Sequence, residues 1–177
     1  MSLPTYPGSP FRRSGIRSAS REDHVSVKDI YLTVDKFIEA NYRGHILLEH
    51  GEPPADLWIS TQAMRLASLI VTIFERSMPI GVVMTATEHG DCIELRVNAP
   101  TEAVLMLERD RRFISTAASA GITAVFQDGT LILMARAVRS TAGVTLRAVS
   151  IGVLAFCFAE AYARIHSEDT DGDLNSN

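Results

Sequence analysis

Residues 61–97 read TQAMRLASLIVTIFERSMPIGVVMTATEHGDCIELRV, and this stretch decides the fold class. Its centre, Leu66-Ala-Ser-Leu-Ile-Val-Thr-Ile-Phe74, carries no charge on any face. A helix that is apolar all round belongs in the middle of a domain, covered on more than one side. The spacing predicts a helix over 61–78, ended by Pro79. Beyond it the period drops from 3.6 to 2. Ile80, Val82, Met84 and Ala86 alternate with Gly81, Val83, Thr85 and Thr87. After a tight His89-Gly90-Asp91 turn, Ile93, Leu95 and Val97 alternate with Cys92, Glu94 and Arg96. A buried helix is therefore followed by an antiparallel hairpin with one polar face.

The flanks extend the same pattern. Upstream, Ser26-Val-Lys-Asp29 reads as a capping box. It opens a helix with the stripe Ile30, Val34, Phe37 and Ile38, which Gly44 ends. Two short strands, His45–Glu49 and Asp56–Ser60, are expected around a Gly51–Pro54 turn. Downstream, 101–120 returns to helical period through Val104, Leu107, Ile114 and Ala118, with Gly121 as the residue past its end. Ile122–Gln127 and Thr130–Arg136 flank Asp128-Gly129, a strong hairpin signal. A strand at Val144–Val149 and a helix at Ile151–His166 complete the order α-β-β-α-β-β-α-β-β-β-α. Hairpins alternating with helices predict an α+β two-layer sandwich: a mixed, mostly antiparallel sheet, helices on one face, and an extra C-terminal helix. The strict β-α alternation of a doubly wound fold is absent. Residues 26–166 are expected to form a single domain. Residues 1–25, rich in Pro, Gly, Ser and Arg, read as a disordered basic arm, and 167–177 as a disordered acidic tail.

Composition narrows the function. A net charge of −4 argues against a nucleic-acid partner. Cys92 and Cys157 have neither zinc nor disulfide-framework spacing and read as buried thiols in a reducing compartment. The five histidines show no metal-ligand spacing, and no metal is expected. The start, MSLPTYPGSPFRRSG, lacks an apolar signal region, and the apolar run Ala148–Ala159 is too short to span a bilayer. The expectation is a cytoplasmic protein with no membrane partner.

Several strings, taken in order, resemble the ATP-binding domain of sensor histidine kinases, the GHKL family. Arg65-Leu66 and the apolar run to Phe74 resemble the family's Asn-motif helix. Ile80 to Val97 resembles the hairpin that leads into its Asp-x-Gly-x-Gly turn. Phe113 to Ile122, with Phe126 to Leu133, resembles its last helix and hairpin. The resemblance implies a cleft built for Mg-ATP, and it also shows what this chain lacks. Arg76 falls near the position of the magnesium-holding Asn, with Thr72 one turn earlier. Val97-Asn98-Ala99-Pro100 stands where the adenine-reading Asp and its glycines should be. Glu108-Arg-Asp-Arg-Arg112 replaces the Gly-rich lid. The family's dimerisation helix with its phospho-accepting His is also missing, since one helix precedes the first strand.

The resemblance thus implies a non-catalytic regulatory or protein-interaction domain in signalling, with no catalytic residue and no cofactor. Two alternatives stand beside it. One is weak binding of ATP or another anionic small ligand in the residual cleft, at Thr72, Arg76, Asn98, Arg109 and Arg112. The other is an unrecognised α+β enzyme. The last helix carries apolar residues on two sides. Ile151, Leu154, Ala155, Phe158, Tyr162 and Ile165 form one stripe, and Val153, Phe156 and Cys157 lie off it. Those last three are expected to form an interface with a protein partner or a second copy.

Overall fold

The computed structural model describes residues 23–42, 48–52, 56–78, 82–138 and 148–172. Among these residues, seven strands and five helices follow in the order β1 (Asp23–Ser26), α1 (Val27–Asn41), β2 (Leu48–His50), β3 (Trp58–Thr61), α2 (Ala63–Ser77), β4 (Val82–His89) and β5 (Cys92–Asn98). Then come α3 (Thr101–Arg109), α4 (Arg111–Ser119), β6 (Ile122–Gln127), β7 (Thr130–Val138) and α5 (Ile151–Gly172). The sheet order is β1-β3-β7-β5-β4-β2, and β6 also pairs with β7. Every ladder is antiparallel except β2 with β4. The domain is thus the expected α+β sandwich with a terminal helix.

β7 organises the sheet. One edge pairs with β5 along Thr130–Arg136. The other edge is shared: β6 takes Thr130–Ala135 and β3 takes Arg136–Val138. The β6–β7 turn holds Asp128 at φ 50° and Gly129 at φ 74°, the left-handed pair that a two-residue hairpin loop requires. Along β5, Ile93, Leu95 and Val97 are buried while Arg96 and Asn98 are exposed, so the helices cover one face.

α2 is central. Nine of its fifteen residues are buried, including Leu66, Ile70 and Phe74. α3, α4 and α5 pack against it. α5 lies across α1 and α2 and buries Leu154, Cys157, Phe158 and Ala161. Edge-to-face rings tie the three helices together: Phe37 meets Phe158 at 5.4 Å and Tyr162 at 5.7 Å, and Tyr42 meets Phe74 at 6.4 Å. Burial pushes the Cys157 thiol up, with the Asp23 charge adding to it. Both cysteines are free thiols. No helix among the described residues is long and apolar enough to cross a membrane.

The differences from expectation have identifiable causes. Asp23–Ser26, assigned by composition largely to the arm, is a strand paired with β3. Its one apolar residue, Val25, is fully buried, and an Asp23 carboxylate oxygen accepts from the Ala63 amide at 3.3 Å, serving the start of α2. Residues 1–22 lie outside the described residues. Ser26 is the N-cap of α1, yet its side chain makes no capping bond. The Val27 amide instead donates to the Leu57 carbonyl, 3.0 Å away, so a strand neighbour satisfies that helix donor. The expected 101–120 helix is two helices, divided at Asp110. Ser167 to Gly172 continues α5 instead of beginning a tail, because propagating a formed helix is cheap until a breaker arrives. Of the expected strands, 45–47 and 144–147 lie outside the described residues, while Ala148 bridges His24.

Ile70→Ala is expected to cost about 2–5 kcal/mol and Phe74→Ala about 3–5 kcal/mol, through lost burial plus the cavity left behind. Denaturant melts read this directly. A negligible change at both positions would contradict a central α2. The tyrosines give a second expectation. Burial lifts the Tyr31 phenol to about 12. Burial, then the Glu75 hydrogen bond and charge, lifts Tyr42 further. The unfolded chain releases both protons from about pH 10 upward, whereas the folded chain keeps them. Their contribution is therefore full below pH 10 and falls as pH rises through 10 toward 12, by up to about 1.4 kcal/mol per pH unit for each phenol. Tyr42→Phe should lose about 1–3 kcal/mol at neutral pH and show a shallower alkaline decline. Equilibrium unfolding across that range measures both effects.

Candidate functional site

One strip of α2 stays partly uncovered. Met64 to Arg76 is buried on most sides, but Ser68, Thr72, Glu75 and Arg76 follow one another at near four-residue spacing along a single face. α4 faces this strip with Asp110, Arg112, Phe113 and Thr116, and Ile165 of α5 closes one end. Together with Leu69 these residues line a cavity of about 360 Å³. A cleft therefore lies between α2 and α4.

Its polar groups are partly committed. The Ser68 hydroxyl donates to the Met64 carbonyl at 3.0 Å, and the Thr72 hydroxyl to the Ser68 carbonyl at 2.7 Å. Both turn their donors back onto the helix that carries them. Asp110 Oδ1 accepts from the backbone amides of Arg112 at 2.9 Å and Phe113 at 3.2 Å. This cap takes amides that an anion at the helix start would otherwise use. A Glu75 carboxylate oxygen accepts from the Tyr42 hydroxyl and lies 3.0 Å from His166 Nε2. The Tyr162 ring lies 4.2 Å from the His166 imidazole, between centroids. Glu75 thus fastens α5 to the end of α1 as well as lining the cleft.

The formal charge of the lining sums to zero: Glu75 and Asp110 against Arg76 and Arg112. Arg76 and Arg112 stand on opposite walls and are exposed. Two guanidiniums so placed suit a carboxylate or phosphate entering from solvent, but adjacent carboxylates cancel the long-range attraction.

Of the five residues read as an anion cleft, Thr72, Arg76 and Arg112 meet here. Arg109 ends α3 and does not line the cavity. Asn98 sits at the end of β5, where its side-chain oxygen accepts from the Thr130 hydroxyl at 3.0 Å. Of the three residues read as an interface on α5, Val153 and Phe156 are exposed, whereas Cys157 is in the core and belongs to the inward row with Leu154 and Phe158. Sequence reading missed Ser68, which the four-residue spacing to Thr72 and Arg76 signals. Asp110 belongs to the run read as replacing the lid, but its role as N-cap, which its place just before Arg111-Arg112-Phe113 signals, was not read. Among the described residues, no group of three or more His, Cys, Asp or Glu side chains is placed to hold a metal ion.

No family model matches the chain, and no curated protein matches it. Among solved structures, the chain is similar in fold to the catalytic domain of the histidine kinase ThkA, at 9% identity and a TM-score of 0.45 over 65% of this chain and 93% of that one. It is also similar to the Acinetobacter baumannii histidine kinase AdeS, at 10% identity and a TM-score of 0.44 over 68% of this chain and 70% of that one. The cytoplasmic segment of the histidine kinase QseC shows 15% identity and a TM-score of 0.39 over 71% of this chain and 83% of that one.

Proposed function

We propose that this chain is a non-catalytic regulatory or protein-interaction domain of a signalling system, built on a histidine-kinase ATPase-like scaffold. The lining of the α2–α4 cleft carries the reading. Where the resemblance puts a magnesium-holding amide, this cleft has Arg76. Magnesium takes oxygen ligands, and a guanidinium offers none. Of the two carboxylates present, Glu75 is held by Tyr42 and His166, and Asp110 is committed to capping α4.

Backbone geometry supports the same conclusion. Between Asn98, the last residue of β5, and Thr101, the first of α3, stand Ala99 and Pro100 alone. Neither supplies a carboxylate for the adenine amino group or the glycine freedom of a phosphate-wrapping turn. α3 and α4 are joined by Asp110 alone, so no segment is left over to act as a lid across a triphosphate. The residues present do not fit Mg-ATP. What remains is a scaffold with accessible surfaces, suited to contact with other proteins.

The test is calorimetric titration of the full chain with Mg-ATP. No binding heat is expected at millimolar nucleotide. Micromolar affinity would overturn the reading and favour the residual-cleft alternative, and Arg76→Ala with Arg112→Ala would then show which guanidinium holds the phosphates.

A further inference from the structure

A second feature lies on the opposite flank of α5, away from the α2–α4 cleft. Thr33, Lys36, Phe37 and Ala40 of α1, with Gly152 and Ala155 of α5, border a mainly apolar groove of about 360 Å³. Beside it the outward row of α5 runs Gly152, Phe156, Ala159 and Ala163, all exposed. Phe156 is 61% and Val153 52% exposed, the two most exposed large apolar side chains among the described residues. A hole and a knob therefore lie side by side on one two-helix face.

We infer that this face binds a second copy of the chain, with Phe156 of each copy seated in the α1–α5 groove of the other. A two-fold axis requires one patch that is complementary to itself, and an exposed aromatic knob next to an apolar hole meets that requirement. Charge agrees with it. No charged side chain lies on α5 between Ile151 and Ala159. Glu160 and Arg164 follow one turn later and face each other at 3.9 Å. Helices of 22 and 15 residues side by side offer about 500–600 Å² of flat face, below the roughly 800 Å² per partner of a standard interface, so the pairing is a weak, concentration-dependent one.

This deepens the reading of the chain as an interaction domain by naming the partner, and two substitutions test it without disturbing the core. Phe156→Glu charges the knob. Gly152→Leu points a side chain into the hole: a Cβ at Gly152 meets nothing within its own subunit nearer than the Ser150 hydroxyl at 4.0 Å, so the first carbon enters without a clash and the melt of the variant reads the rest. Sedimentation equilibrium of the full chain at micromolar concentrations should show a dimer. Each variant should melt cooperatively at or near the parent temperature, with a dimer dissociation constant raised roughly thirtyfold or more, as for an interface hot spot. A parent that is monomeric throughout overturns the inference, whatever else the groove then holds. A dimer that survives in Gly152→Leu overturns the groove as the seat of Phe156. Neither result touches the Mg-ATP titration, so failure of the pairing and failure of the non-catalytic reading are told apart.

Discussion

The structure depends on one constraint: α2 is too apolar to face water on more than a narrow strip. A sheet covers one side of a helix, and nine buried residues in fifteen need more cover than that. α3, α4 and α5 supply it, with Tyr42 from the end of α1 reaching Phe74. α5 is thus not an appendage laid on a finished domain. Removing it would expose much of α2 and unmake the aromatic cluster of Phe37, Tyr42, Phe158 and Tyr162. The polar strip left over on α2 is what becomes the cleft wall, so the position of the candidate site follows from how the core is covered.

Much of this was legible because local and global signals agreed. The change of period after Ser77, the Asp128-Gly129 turn and the stop at Gly121 each carry their structure in a few adjacent residues. What escaped was set by partners distant in sequence. Asp23–Ser26 has one apolar side chain and no pattern; it is a strand because β3 offers an edge. The cleft was half legible. Thr72, Arg76 and Arg112 could be placed by resemblance, but Asp110 was hidden inside an apparently continuous helical period. The hold of Tyr42 and His166 on Glu75 joins residues 33 and 91 positions apart. No local reading finds such a pair.

The outward side of α5 also shows how a helical period can mislead at one position. The period groups Cys157 with Val153 and Phe156, off the core stripe. Burial shows that the inward row runs Leu154, Cys157, Phe158 and Ala161, at three- and four-residue spacing. The sulfur sits inside, and burial of a thiol raises its pKa, which suppresses the thiolate and with it reactivity.

Asp110 has a further consequence. It ends α3 and, through the same residue, starts α4, with its carboxylate spent on the α4 amides. This one-residue joint lies on the lip of the cleft, where α4 already starts with capped amides. Chain inserted into a surface joint costs little in loop entropy, roughly 0.6 kcal/mol for each doubling of length. Two grown helices would not have to be rebuilt to admit it. The joint is therefore the place where this scaffold can most cheaply accept new length, and a glycine-rich segment grafted there would hang directly over Arg76 and Arg112.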